Sequence, residues 1–404
     1  MSWTRRRVLA SMAGVCGASG CLASPDRSLP TAPTSGWNQS RCDAQKTATS
    51  DVTVPERGNL AWGGGSGQML SVVADQTVYT VDDDDGLTAL NAQTGEHRWQ
   101  TALDHDLDDT EPVGVSGGII NDQLLVATRG RLYSFSTADG SERWQRKLPG
   151  HVSSISTTVV PDRQIGLIDF THGQKYYIIA VTAESGEIKW RDSVLRGGGR
   201  GLAVFDDHVY VTGTSKTGEE VLRCLEIDTG ELIWQQGIAD TDRYSTHVCV
   251  TSGVLIGEGA DISVYDHSDG KQRASVELPH GRVRSIAVDD GTAFVLSESG
   301  LAAVSVPDGG RQWSLSRNPT RHFVRGPLAV GRESVVAPVF MESLGCPAVV
   351  AFERIDGTRR WHYTLGDDFA CGTIWSQPVL ADGAVFIDTS PHTVTALGDL
   401  SQQD

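Results

Sequence analysis

Short apolar and alternating segments, separated by tight turns, recur along most of this chain. Gln123–Ala127 is a mostly apolar run that suits a strand buried on both faces, and Arg131–Ser136 alternates polar and apolar residues. Ala138–Gly140 forms a tight turn before a further strand at Glu142–Trp144. With a first strand that begins at Pro112–Val115, this stretch predicts four antiparallel strands, and no helical period appears after residue 50.

The end of this unit recurs as a motif in which a small or acidic residue and a Gly precede a Trp by a fixed distance. Successive motifs lie 39 to 48 residues apart, and one of them has Ala274 in place of the Trp. A period of this length is typical of stacked or radial repeats, which bury their apolar faces only against one another. Four antiparallel strands with an aromatic residue on the outermost one describe a propeller blade.

Counting the strand pairs gives eight units. The eighth unit, Ala384–Ile387 and Thr393–Leu397, has no Trp strand after it, and the missing strand is found at Gly58–Trp62. We therefore predict an all-β, eight-bladed β-propeller of four-stranded antiparallel blades over residues 51–404, closed by pairing an N-terminal strand with the C-terminal blade. The strand pairs fall near 75–91, 121–136, 163–183, 206–228, 252–267, 290–306, 331–355 and 382–397.

We expect the recurring Trp side chains to dock neighbouring blades on one another. A Trp side chain buries about 150–250 Å², enough to fill the gap that widens between blades towards the rim. Ala274 should leave a looser seam in blade 5. The predicted docking residues are Trp62, Trp99, Trp144, Trp190, Trp234, Trp313 and Trp361.

Residues 1–20 have the features of an export signal. Thr4–Leu9, with Arg5 and Arg6, resembles the twin-arginine signal, and the apolar run that follows is too short to span a membrane. Ala18–Cys21 resembles a lipobox, which implies that Cys21 is lipidated and anchors the chain to the outer face of the cell membrane. Since Ala18 departs from the preferred Leu, a simply cleaved signal is the alternative.

Residues 21–50 are rich in Ser, Thr, Pro and Ala, which predicts a flexible tether. Within it, Trp37–Gln39 and Asp43–Thr47 resemble a lead-in segment that precedes exported archaeal propellers. Part of the tether is therefore expected to dock on the propeller.

The charge balance is strongly acidic, with 34 Lys and Arg against 51 Asp and Glu and a net charge of −17. Asp far exceeds Glu and Arg far exceeds Lys, which resembles a salt-adapted archaeal protein. Such a balance argues against nonspecific nucleic-acid binding, which needs a basic surface. The acidic runs Asp82–Asp85 and Asp104–Asp109 lack EF-hand spacing, so we expect solvated loops and no metal.

Four cysteines in the propeller allow up to two disulfides outside the cytosol. We favour Cys346–Cys371, in loops of the last two repeats, and then Cys224–Cys249. Buried free thiols are the alternative.

The repeat resembles the PQQ-like β-propeller repeat family over about residues 51–399. Val78-Tyr79, Leu87–Asn91 and Thr94-Gly95 followed by Trp99 match its pattern in nearly full form. The resemblance implies either a quinoprotein dehydrogenase or a lipoprotein scaffold like BamB. The dehydrogenases have an adjacent Cys-Cys pair at the quinone, a Ca²⁺ held by Glu and Asn, and a catalytic Asp. This chain has no adjacent cysteines and is shorter.

The favoured interpretation is therefore a non-catalytic, monomeric, membrane-anchored scaffold for an unidentified protein partner, without a cofactor or catalytic residues. The alternatives are a PQQ- and Ca²⁺-dependent dehydrogenase and a binding module for an anionic small ligand or glycan.

Basic residues concentrate in the loops that join the last strand of one blade to the first strand of the next. These loops share one mouth of the central channel, so we predict an anion-attracting funnel there. The alternative is that the arginines pair with Asp240, Asp242, Asp367 and Asp368. The candidate binding residues are Arg200, Arg243, His280, Arg282, Arg284, Arg321, His322 and Arg325.

Overall fold

The structure, a computed structural model, describes most of the chain from Arg27 to Leu400. Arg5, Arg6 and Cys21 lie outside the described residues, so the export signal and the lipid anchor stay predictions. The described residues are 27–34, 36–64, 68–82, 86–103, 115–128, 130–148, 152, 154–193, 196–238, 248–278, 281–306, 308–316, 326–341, 343, 346–364, 377–389 and 393–400.

The strands are grouped in fours, and each group forms one antiparallel blade that runs from the central channel to the rim. Blade 1 is β2 (Gln68–Ala74), β3 (Thr77–Asp82), β4 (Gly86–Asn91) and β5 (His97–Thr101); blade 2 is β6 (Ser116–Ile120), β7 (Gln123–Ala127), β8 (Arg131–Ser136) and β9 (Glu142–Lys147); blade 3 is β10 (Ser154–Val160), β11 (Ile165–His172), β12 (Lys175–Thr182) and β13 (Ile188–Asp192); blade 4 is β14 (Arg196–Phe205), β15 (His208–Thr214), β16 (Glu220–Glu226) and β17 (Leu232–Gly237). Blade 5 is β18 (Val248–Val250), β19 (Val254–Glu258), β20 (Asp261–Tyr265) and β21 (Gln272–Glu277); blade 6 is β22 (Val283–Asp289), β23 (Thr292–Ser297), β24 (Gly300–Ser305) and β25 (Arg311–Ser316); blade 7 is β26 (Ala329–Val330), β27 (Ser334–Met341), β28 (Cys346–Glu353) and β29 (Arg359–Thr364); blade 8 is β30 (Val379–Ala381), β31 (Ala384–Thr389), β32 (Thr393–Gly398) and β1 (Asn59–Gly64).

Blade 8 is built from both ends of the chain. Its outer strand β1 pairs antiparallel with β32, with Leu60 opposite Leu397 and Trp62 opposite Ala396. The predicted eight-bladed propeller and its closure are therefore confirmed. A single pairing between Lys175 and Arg196 also joins blades 3 and 4 into one continuous sheet.

The burial of each strand follows its distance from the channel. All five residues of β6 and of β7 are buried, whereas the outer strand β9 has no buried residue. The inner strands lie so close together that a methyl group added at Gly118 would fall 2.7 Å from Val159 of the next blade. Among the described residues, the first strand of this blade begins at Ser116, and residues 112–114 of its predicted start lie outside them.

The docking Trp residues lie between blades and repeat one geometry. Each indole N–H donates to a backbone carbonyl of the next blade at 2.7 to 3.2 Å. That carbonyl belongs to the residue three positions before the Gly in the last turn of the blade, or three positions before Gly58 in the closing blade. The same indole lies against that Gly, where a side chain would collide with it. The bonds run from Trp62 to Ala92, Trp99 to Thr137, Trp144 to Ala183, Trp190 to Ile227, Trp234 to His267, Trp313 to Arg354 and Trp361 to Pro55.

Residues 36–54 form a segment that we call the belt, which passes around the inner strands and contacts all eight blades. Its hydrogen bonds reach the last residues of the inner strands, or the turns just after them. We call this end of the ring the belt face, and the end that carries the loops between successive blades the far face. The residues bonded, from blade 1 to blade 8, are Val73, Ile119, Val159, Val204, Val250, Val288, Val330 and Gly383.

Within residues 21–50, predicted as a flexible tether, the part expected to dock, Trp37–Gln39 and Asp43–Thr47, lies against the inner strands. Trp37 and Ala48 are fully buried, and Leu29 bonds to Gln93 before the belt begins. The circular path requires left-handed backbone at non-glycine residues, including Arg41 and Lys46. The segment is ordered through backbone bonds to successive inner strands, and its Ser-, Thr- and Pro-rich composition does not reveal such bonds.

Candidate functional site

The predicted basic funnel lies on the far face, where only part of it is described. Arg282 and Arg284 stand together at the start of β22, and Arg284 forms an ion pair with Glu298 in the next hairpin. This is the kind of pairing that the alternative interpretation expected, although with a different acid. Arg200 lies in β14, and nothing is described of its side chain.

The remaining members of the funnel lie outside the described residues, and so do the four acids expected to pair with them. The structure therefore brings two of the candidate residues together and leaves the funnel as a prediction. The residues concerned are Arg243, His280, Arg321, His322 and Arg325, with Asp240, Asp242, Asp367 and Asp368.

The belt carries a group of charged side chains into the interior of the ring. The Arg41 guanidinium donates to the carbonyl of Ile286 and, from Nε at 3.1 Å, to that of Lys46. Asp43 accepts from the amide of Thr47 at 3.0 Å and from its hydroxyl. These bonds fix the belt in its left-handed turns, because each charged group is held by the belt itself or by an inner strand.

Lys46 and Asp169 form the part of this group that is most sensitive to pH. The Lys46 ammonium donates to the carbonyl of Ser40 at 3.2 Å, and burial lowers its pKa to about 8 although Asp169 opposes the shift. Burial raises the pKa of Asp169 to about 6, against the hydrogen bond that it accepts from the Tyr176 hydroxyl at 3.0 Å and the nearby Lys46 charge. The two charges thus stabilise each other inside a ring that disfavours both.

A buried ion pair lies at the seam between blades 3 and 4. Arg223 on β16 pairs with Asp192 on β13, and their side chains are only 5% and 9% exposed. Asp192 also raises the pKa of Tyr176, after the larger effects of burial and of Asp169. This seam therefore contains linked charges where other seams are mainly apolar. No sequence motif marks this pair, because its two residues are far apart in the chain.

The predicted Cys224–Cys249 disulfide is wrong, since both are free buried thiols. Cys224 faces the apolar cluster between blades 4 and 5, together with Val248 and Val250, whereas Cys249 faces the cluster between blades 5 and 6. Strand alternation points Cys249 away from Cys224. Burial raises the pKa of both thiols to about 12.

Cys346 is also a free thiol, and Cys371 lies outside the described residues.

The described residues provide neither a cluster of metal ligands nor a membrane-spanning helix. Within that part of the chain, no three His, Cys, Asp or Glu side chains are grouped so that they could hold a metal ion. Nor do the described residues contain a helix long and apolar enough to cross a membrane.

Comparison with known proteins places the repeats in one family. The family profile described as outer membrane protein assembly factor BamB matches residues 52–175, 174–256 and 218–404. BamB of Escherichia coli strain K12 is 27% identical over 371 residues, which cover 87% of this chain and 90% of that protein.

Two solved structures show the same fold at low sequence identity. Quinohemoprotein alcohol dehydrogenase from Comamonas testosteroni has a TM-score of 0.69 at 15% identity, covering 91% of this chain and 82% of that one. BamB from Moraxella catarrhalis has a TM-score of 0.60 at 11% identity, covering 86% of this chain and 98% of that one. Likeness at this level concerns the fold alone.

Proposed function

Because this chain belongs to the family of the outer membrane protein assembly factor BamB, we propose that it is a non-catalytic scaffold that binds a partner protein. The observation that carries the proposal is the extent of the family match, which runs from residue 52 to residue 404 and so includes all eight blades. The belt contacts every inner strand at one end of the channel, which leaves the far face and the rim for a partner. Propellers present such surfaces without general motifs, so the partner's identity does not follow from the fold.

The scaffold is anchored outside the cell membrane by a lipid on Cys21, after export directed by Arg5 and Arg6, in a salt-adapted archaeon. Leu29 is the eighth residue after Cys21, a span of at most about 28 Å for an extended chain. Since Leu29 bonds to Gln93 on the belt face, the anchor keeps that face near the membrane and turns the far face towards a partner.

Crosslinking in intact cells tests this proposal. A photoreactive amino acid is placed at Lys216, exposed in a hairpin of the far face, and in a matched variant at Asp139, exposed in a turn of the belt face. We expect defined partner proteins to be attached from position 216 and far fewer from position 139. No protein attached from either position, or the same proteins from both, would contradict the proposal.

A substitution at Cys21 tests the lipid anchor separately from the partner. Cys21→Ser should release the chain from the membrane fraction while the far-face crosslinks weaken for lack of local concentration. A chain that stays in the membrane fraction would argue against lipidation at Cys21.

PQQ-dependent oxidation is the second candidate, favoured by the fold shared with quinohemoprotein alcohol dehydrogenase. Adding PQQ and Ca²⁺ to the purified chain should then produce quinone absorbance and dye-linked alcohol oxidation. The scaffold proposal expects neither.

A further inference from the structure

The seam between blades 6 and 7 contains an open apolar groove of about 560 Å³. Leu301 and Leu315 line it from blade 6, and Val339, Phe340 and Met341 line it from blade 7. Leu315 and Val339 are only partly buried, so both keep some exposed apolar surface at the groove. The volume is within the range of sites that take a small ligand or a few large side chains.

The sequence at this seam differs from that of most other repeats. Four residues after the docking position, other repeats carry a large apolar residue that packs into the seam with the next blade, namely Leu103, Leu148, Ile238 and Leu278. In blade 6 that position is Arg317, which lies outside the described residues. Gly300 and Ser316, the last register pair before it, both line the groove. The groove thus lies where one apolar side chain of the repeat is missing from the sequence.

A free strand edge borders the groove. Among the described residues, β25 pairs only with β24, so its other edge presents unpaired backbone groups towards the rim. An extended peptide that paired with this edge would point alternate side chains to one face of the blade. Every second side chain of such a peptide would face the groove.

An arginine at the groove indicates that the ligand carries a negative charge as well as apolar side chains. Arg359 lines the groove, is exposed, and forms no ion pair with a described residue. In a chain with a net charge of −17, this arrangement favours a carboxylate on the ligand, since Arg binds carboxylates in a fork.

We propose that this groove binds an extended segment of a partner protein that inserts large apolar side chains at alternate positions and places a carboxylate against Arg359. The proposal rests on the scaffold function and names the chemistry of one partner contact.

Peptide display on the purified chain, with the belt intact, tests it. A library of random nine-residue peptides is selected on the native protein, and the enriched peptides are measured against three variants. Val339→Trp fills the groove, Arg359→Glu reverses its charge, and Arg191→Glu reverses an exposed arginine on the outer strand of blade 3 as the matched control. Melting temperatures establish that all three variants are folded.

We expect enriched peptides that alternate large apolar residues and carry Asp or Glu. Their affinity should fall about tenfold or more in the first two variants and stay unchanged in Arg191→Glu. No such enrichment, or equal affinity for native chain and groove variants, would overturn the proposal.

The outcomes separate this proposal from the scaffold function. Partner proteins crosslinked in cells from Lys216, with no peptide selected for the groove, would leave the scaffold standing and refute the groove. Peptides that depend on Val339 and Arg359, with no protein crosslinked in cells, would support the groove and refute the scaffold at the far face.

Discussion

A methyl group added to Gly140 would come within 2.4 Å of Cε3 of Trp99 in the preceding blade. Except at Gly58, the Gly that faces each docking Trp therefore serves two purposes, since it accepts left-handed backbone and leaves room for the indole. Gly309 has nearly the same backbone, with φ of +70° against +72°, but no Trp faces it and the nearest atom to an added methyl group is in Val276 at 3.7 Å.

This difference makes a matched pair of substitutions. Gly140→Ala and Gly309→Ala bear the same backbone strain, but only the first collides with an indole, at a further cost of about 1–3 kcal/mol. Denaturant titrations should show that extra loss in the free energy of unfolding for Gly140→Ala. Equal losses would mean that backbone strain alone selects Gly in these turns.

The seam at Ala274 should accept the missing side chain. In Ala274→Trp, the indole would lie over Gly309 and its N–H would reach the carbonyl of Val306, three residues earlier as in the other seams. We expect a gain of about 1–2 kcal/mol in the free energy of unfolding. Ala274→Leu supplies apolar area without the N–H and should gain less; a loss in both variants would show that blade 5 has adapted to the small residue.

The buried carboxyl of Asp169 predicts a pH dependence. Burial raises its pKa to about 6 in the folded chain, so between about pH 4 and 6 the folded state holds a proton that the unfolded state releases. The free energy of unfolding contributed by this group is therefore fully present below about pH 4 and falls as pH rises, by at most about 1.4 kcal/mol per unit. Tyr176 and Lys46 are the titratable groups that act on it.

Asp169→Asn removes this contribution. The free energy of unfolding of the native chain minus that of the variant should decrease from pH 4 to pH 6, as measured by denaturant titration at each pH. The exposed acid Asp162, changed to Asn, is the control and should give a flatter difference. Parallel curves for native chain and Asp169→Asn would refute the assignment.

Two Arg–Asp ion pairs differ in burial, so we expect them to differ in how much they stabilise the fold. Asp192→Ala leaves the buried Arg223 unpaired and should cost about 3–5 kcal/mol. Asp51→Ala removes the partner of Arg332, but that pair is 86% and 52% exposed and water replaces it, so melting should barely change. Similar shifts in melting temperature for the two variants would contradict this account.

The ring could be predicted because each repeat makes the same contacts. Trp99 and Trp144 occur at a fixed distance from a Gly turn, and strand alternation is visible within a few residues. The same reasoning located Gly58–Trp62 as the partner of the last strands.

The resemblance at Trp37–Gln39 and Asp43–Thr47 predicts that part of the belt docks, but its path around all eight blades could not be predicted from the repeats. Trp37, Ala44 and Thr47 each bond to a different blade, so no period marks the segment. The prediction of a Cys224–Cys249 disulfide failed for a related reason. The face of the strand on which Cys249 lies depends on the register of that strand. The groove was also missed, although the replacement of an apolar residue by Arg317 was present in the repeats as a signal.

The joining of β1 to β32 has a consequence for biosynthesis. The first strand of the chain leaves the ribosome long before its partner, and the belt must wait for inner strands that are translated one after another. A nascent chain, or one truncated near its C-terminus, cannot complete the circle, so the last segment translated decides whether the molecule matures.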